Sequence, residues 1–113
     1  MLMRGDESEE TACRFLKERG YRILARNWRT RTGEVDIIAR DGKILVFVEV
    51  KARSGDGFGG PEAAVDRVKQ RRIISAALSF IEFTGCELPT RFDVVAIRPG
   101  KVRLHQDAFQ VAT

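Results

Sequence analysis

Gly33 to Arg53 reads GEVDIIARDGKILVFVEVKAR, and the fold turns on how this stretch pairs with itself. Val35 to Ala39 and Ile44 to Val50 are short runs rich in Val and Ile, separated by Asp41-Gly42. Asp-Gly between two such runs signals a β-hairpin with a tight turn. With Asp41 and Gly42 in the turn, Arg40 faces Lys43, Ile38 faces Leu45, Asp36 faces Phe47 and Glu34 faces Glu49. Directly opposed side chains share a face, and that face recurs every second residue. Glu34, Asp36, Glu49 and Lys51 are therefore expected on one side of the sheet, with Asp36 and Glu49 as diagonal neighbours. A three-residue loop would reverse the parity.

Both runs carry apolar residues at consecutive positions, the pattern of central strands covered on each side. Carboxylates on such strands repel one another, take raised pKa values or attract a cation. Two or three of them suit a hard divalent ion such as Mg²⁺, which takes oxygen ligands and keeps several waters. A lysine beside that ion can orient or deprotonate water, or stabilise charge on a phosphate oxygen. The set is equipped for metal-assisted phosphodiester hydrolysis. An isolated E-x-K more often marks an ion pair at a strand end, but the apolar flanks, the hairpin and the shared face weigh against that here.

At these residues the chain resembles a known group. Asp36 followed on the next strand by Glu49-Val50-Lys51 is similar to the D…(D/E)-x-K core of the PD-(D/E)xK nucleases, a superfamily that includes restriction endonucleases and Holliday-junction resolvases. The closer resemblance, over nearly the whole chain, is to the bacterial YraN-like family of predicted endonucleases. It is carried by Glu9, Ala12, Phe15-Leu16, Gly20-Tyr21, Asn27, Gly33 to Asp36, Phe47 to Lys51, Arg53, Phe58-Gly59, Lys69 and Arg91 to Val95. Val35 stands where a proline often precedes the superfamily's aspartate, and Ser8 where the closer family usually has glycine. Neither removes a candidate ligand.

The 113 residues suit one domain, and the net charge of +4 fits a polyanion partner without requiring one. No apolar run approaches membrane-spanning length and the charged start lacks a signal-peptide core, so a cytoplasmic protein is expected. Cys13 and Cys86 have no metal-ligand spacing and read as reduced packing residues.

Asp6 to Arg19 reads as the first helix, capped by Asp6 and ended by Gly20. Ala12, Cys13 and Leu16 form its apolar stripe with Glu9 near the middle. Glu9 alone reads as a capping-box partner; the nuclease resemblance implies instead that it reaches the metal. Tyr21 to Trp28 reads as a strand, and Arg22, Arg26, Arg29 and Arg31 on it and the next turn are candidates for phosphate contact. Trp28 is a candidate to stack on a base, or a packed residue on a solvated edge. The glycine-rich stretch from Arg53 to Gly60 contains Phe58 as its one large apolar residue, either a wedge for nucleic acid or a cover for the core. Pro61 to Thr84 reads as the long helix with Gly85 at its end. Val65, Ala76, Phe80 and Phe83 line one side, and Lys69 and Arg72 fall within that side. Arg67 and Arg71 point outward, while Ile74, Leu78 and Ile81 add a second apolar flank, a reason to expect a homodimer. Thr90 to Ile97 and Lys101 to His105 are the remaining strands, with Asp93 structural beside Arg91 and His105 at the surface.

The order helix, three strands, helix, two strands makes an α/β fold. The resemblance implies a restriction-endonuclease-like αβββαβ core, with a mixed central sheet and helices on both faces. The leading functional expectation is a Mg²⁺- or Mn²⁺-dependent DNA endonuclease, acting on branched or damaged DNA. In it Asp36 and Glu49 bind metal, Glu9 and Glu34 complete or support the shell, and Lys51 activates water or stabilises the transition state. Arg53, Lys69, Arg72, Arg29 and Arg31 contact the nucleic acid. The alternatives are a non-catalytic nucleic-acid-binding module that retains the nuclease fold, and a structural partner protein that uses the apolar helix flank.

Overall fold

In the computed structural model, which describes residues 5–53 and 62–111, the expected element order is present. It runs α1 (Gly5–Glu18), β1 (Arg22–Arg29), β2 (Glu34–Asp41), β3 (Ile44–Ala52), α2 (Arg67–Thr84), β4 (Thr90–Arg98) and β5 (Lys101–Phe109). The strands form one sheet in the order β1-β2-β3-β4-β5. All neighbours are antiparallel except β3 and β4, which are parallel. A parallel pair needs a crossover, and α2 supplies it.

The helices cover opposite faces because consecutive strand residues are apolar on both. On one face, Ala12, Cys13 and Leu16 of α1 pack on Ile37, Ala39, Val46, Val48, Val95 and Ile97. On the other, Ile73, Ala76, Ala77 and Phe80 of α2 pack on Val35, Ile38, Leu45, Phe47, Phe92 and Phe109. Each large aliphatic side chain so buried contributes about 1.5–3 kcal/mol. Trp28 belongs to the second core, its ring edge-on to Phe80 at 5.2 Å and tilted against Phe83 at 5.7 Å. It is a packing residue rather than a platform for a base.

Several boundaries differ from the sequence reading. α1 is already helical at Gly5, ahead of the expected cap Asp6, whose side chain lies outside the described residues. α2 starts at Arg67, six residues after Pro61, because Asp66 caps it by accepting the Lys69 N–H at 2.8 Å. Val65 therefore packs from the segment ahead of the helix. Residues 54–61, with Phe58, lie outside the described residues. β5 runs four residues past His105, and His105 is half-buried with its Nε2 2.6 Å from Glu62 Oε2 instead of lying unpartnered at the surface.

The hairpin register also moves. Asp41 pairs with Ile44, Arg40 with Leu45, and Ile38 with Phe47. The two turn residues are Gly42 and Lys43, with Gly42 at φ 60. Glycine at the first central position is what a type II′ turn requires. Relative to the expected pairing each partner is displaced by two residues, so along the paired stretch, Ile37 to Asp41 and Ile44 to Val48, each side chain keeps its face.

Asp93 is structural. It is fully buried and accepts from Arg91 Nε at 2.8 Å, Tyr21 Oη at 2.8 Å and the Asp107 N–H at 2.9 Å. Arg91 also donates to Asp41 at 2.9 Å, so this buried charge joins β2, β4, β5 and the end of α1. Burial pushes the Tyr21 phenol up to about 12, and Arg91 is raised by its bonds to Asp93.

Candidate active site

The β2–β3 ladder ends at Ile37↔Val48. One step further the same register sets Asp36 against Glu49. There the Val50 N–H is received by Asp36 Oδ2 at 2.8 Å. The two strands part at this point, and a side chain replaces a backbone acceptor.

The cause lies in β1 and β2 together. Val35 packs in the α2-side core and Ile37 in the α1-side core, although residues two apart normally share a face. Ala25 and Trp28 of β1, three apart, likewise both pack on the α2 side. The alternation slips at Asp36 and at Asn27, which stand opposite each other between the pairs Arg26↔Ile37 and Trp28↔Val35. Asn27 has φ 54, a left-handed conformation that asparagine tolerates better than most residues. Its Nδ2 donates to Glu9 Oε1 at 2.7 Å, tying α1 to the irregularity.

Asp36 and Glu49 meet at this break, with Glu9 nearby. Glu49 is only 12% exposed, and its pKa is pushed up to about 8 by burial first, then by the hydrogen bond and charge of Asp36, with Lys69 opposing. Glu9 is raised by burial, opposed by Asn27, and raised further by the Asp36 charge. Lys69 of α2 lies 3.5 Å from Glu34 and 3.7 Å from Glu49. Glu34 also lies 3.8 Å from Arg72 and 3.9 Å from Arg29. Lys51 donates its ammonium to the Ala64 carbonyl, and burial, then the Arg53 charge, lower its pKa.

Beside them is a cavity of about 400 Å³ lined by Glu49, Lys51, Arg53 and Lys69, and by Ala64, Val65 and Asp66 ahead of α2. Of the residues expected from the sequence, Asp36, Glu49, Glu9, Lys51, Arg53 and Lys69 are brought to this region. Glu34 stands at its rim, ion-paired with the cations Arg72 and Arg29. Arg31 is not brought there; it lines a separate groove with Arg71 and Leu78. The sequence reading assigned no role to Asn27, Ala64 or Asp66. An asparagine inside a β-pattern was the visible sign of the first.

Among the described residues, no group of three or more His, Cys, Asp and Glu side chains is gathered so as to hold a metal ion. The donors that meet are the two carboxyls of Asp36 and Glu49. Mg²⁺ commonly takes one or two carboxylates and fills its shell with water and substrate phosphate. An acid pushed up to about 8 beside another acid is a pair that a dication relieves. The donor set therefore fits a hard divalent ion.

The model of the Uncharacterised protein family UPF0102 matches residues 8–97, a span that includes Glu9, Asp36, Glu49, Lys51 and Lys69. A UPF0102 protein of Symbiobacterium thermophilum is 49% identical over 111 residues, covering 93% of this chain and 94% of that protein. One of Thermodesulfovibrio yellowstonii is 45% identical over 105 residues, covering 93% and 94%. One of Geobacter sulfurreducens is 51% identical over 94 residues, covering 82% and 73%.

Proposed function

The chain belongs to the UPF0102 family, and we propose that it is a divalent-metal-dependent endonuclease that hydrolyses phosphodiester bonds in branched or damaged DNA. The observation that carries this reading is the Asp36–Glu49 pair at the parting of β2 and β3, beside a cavity that Lys51 and Lys69 also line. Acid, acid and lysine on adjoining strands, with Glu9 on the first helix, is also the arrangement that a PD-(D/E)xK nuclease implies.

Asp36 and Glu49 would hold Mg²⁺ or Mn²⁺, with Glu9 supporting the shell. The bound ion supplies Lewis-acid polarisation of the phosphate and a lowered pKa for its water. Lys69 and Arg72 hold Glu34 and bring positive charge to the scissile region. Lys51, with its pKa lowered by burial, orients a water or stabilises the developing oxyanion once it leaves the Ala64 carbonyl. On this reading the protein works in the cytoplasm, beside its DNA substrate. Among the described residues no helix is long and apolar enough to cross a membrane.

The outer flank of α2 supports a homodimer. Leu78 is 61% exposed, and Phe83, expected on the sheet-facing side, is 77% exposed where it rests against Trp28. Arg71 and Glu82 project from the same helix and line the groove that contains Leu78. Laid antiparallel on a second copy, this flank would make a self-complementary contact. Such an isologous contact suits a two-fold symmetric branched substrate. Sedimentation of wild type and Leu78→Glu tests it, a monomeric wild type being the adverse result.

The second reading, a binding module without turnover, is favoured by the engagement of the Lys51 ammonium with Ala64 and of Glu9 with Asn27. Cleavage of supercoiled plasmid and of a synthetic four-way junction, with Mg²⁺, Mn²⁺ or EDTA, separates the two. Metal-dependent cutting lost in Asp36→Asn and in Lys51→Ala is the expected result. Junction binding that persists in EDTA, with no cutting under any condition, would favour the binding module.

A further inference from the structure

We infer that β5 carries a phosphate-binding row which extends the DNA contact away from the carboxylate cavity, formed by Lys101, Arg103 and His105 with Arg98 of β4, and that Glu62 partly occupies this row in the free protein. This rests on the nucleic-acid part of the reading above and not on turnover.

The register places these residues. In β3 the α2 face carries Leu45 and Phe47, so Glu49 and Lys51 follow on that face. Lys51 pairs with Ala96, and Ala96 with Arg103. Val94 pairs with Glu49 on one side and with His105 on the other, and Arg98 pairs with Lys101. The opposite face of β5 carries Val102 and Leu104, which pack on the α1-side core. Lys101, Arg103 and His105 therefore share the face of Lys51. Arg53 extends the set: its N–H donates to the Ile97 carbonyl at 2.9 Å, placing it beside the end of β4 and at the wall of the cavity.

Two strand spacings separate β3 from β5, about 9–10 Å. Lys101 to His105 covers about 13–14 Å along the strand, the axial length of about four nucleotides at 3.4 Å each. Lys101 and Arg103 are exposed. The acid within this set is Glu62, whose carboxylate lies 3.4 Å from Arg98 Nε and 2.6 Å from His105 Nε2 and is itself mostly buried. Arg98 Nε is buried without a hydrogen-bond partner among the described residues, since its approach to Glu62 lacks hydrogen-bond geometry. A phosphate oxygen offers Arg98 the acceptor that Glu62 supplies poorly.

Exposed cations on an edge strand also arise simply to block edge-to-edge pairing, and salt dependence distinguishes the two roles. Binding of a fluorescein-labelled duplex and a labelled four-way junction is followed by anisotropy in EDTA across a NaCl series. The proteins compared are wild type, Lys101→Gln/Arg103→Gln, Glu62→Gln, and a control pair on α1, Arg14→Gln/Lys17→Gln. Each phosphate contact contributes about 0.9 to the slope of log K against log salt. The β5 pair is expected to lower the magnitude of that slope by about 1.8 and weaken binding. Glu62→Gln is expected to tighten binding, and the α1 pair to match wild type. A β5 pair that behaves like the α1 pair overturns the row and leaves the nuclease reading standing. Wild type that binds with the β5-dependent slope but never cuts removes the nuclease reading and keeps the row. Wild type that binds neither DNA at low salt overturns the row together with its nucleic-acid premise.

Discussion

Glu49→Gln should make the metal-free protein more stable at alkaline pH and leave it nearly unchanged at acid pH. In the folded chain the Glu49 carboxyl is pushed from 4.5 up to about 8, by burial and then by Asp36. Between those values the folded protein keeps a proton that the unfolded chain has released. Stability is therefore fully present below about pH 4.5 and falls as pH rises through about 8. At 1.36 kcal/mol per pH unit the loss has an upper bound of about 5 kcal/mol. Part of that range lies below pH 5 and the site is not fully dry, so about 2–4 kcal/mol is the expected drop between pH 5 and pH 9. Glutamine keeps the shape and one donor for Asp36 without a charge to bury, so the variant should lose much less over the same range. Urea unfolding in EDTA at pH 5, 7 and 9 measures this directly. Mg²⁺ should restore wild type at pH 9 and have little effect on the variant, because a ligand that binds only the folded state stabilises it. Wild-type stability flat from pH 5 to 9, or a variant with the same slope, would refute the buried acid pair and with it the argument for a metal there.

Four other variants have expected outcomes. A Cβ built on Gly33 lies 1.8 Å from the Arg72 carbonyl oxygen, a backbone atom of α2, so Gly33→Ala should cost about 2–3 kcal/mol and lower Tm by about 10 °C in calorimetry. Asp93→Ala leaves Arg91 without its main partner in a buried network and should cost about 3–5 kcal/mol by urea unfolding. Tyr21→Phe, which removes one bond from the same carboxylate, should cost only about 1–2 kcal/mol. If the site is catalytic, Lys51→Met should reduce single-turnover cleavage at least about 100-fold while leaving junction affinity in EDTA within a few fold of wild type. Equal losses in binding and cleavage would assign Lys51 to substrate binding instead.

The amino-acid sequence by itself determined the element order, the hairpin and the face that carries Glu49 and Lys51. Those depend on local signals: Asp-Gly between β-branched runs, and a side-chain period of two that survived a two-residue error in register because two is a whole period. It also determined that Lys69 of α2 turns toward the carboxylates, since helical periodicity is equally local, whereas Arg72 stays exposed and reaches Glu34. The start of α2 was misplaced because Pro61 is a good first-turn residue, while Asp66 made the cap actually used. Only the tertiary structure decided that Asp36 sits opposite Glu49 where the strands part. That break depends on Asn27 in a left-handed conformation and on two cores competing for Val35 and Ile37, contacts between elements far apart in the chain. It alone decided that Trp28 packs under α2, and that His105 meets Glu62 across 43 residues. No local pattern encodes such pairs, because their geometry is set by where the sheet brings distant segments together.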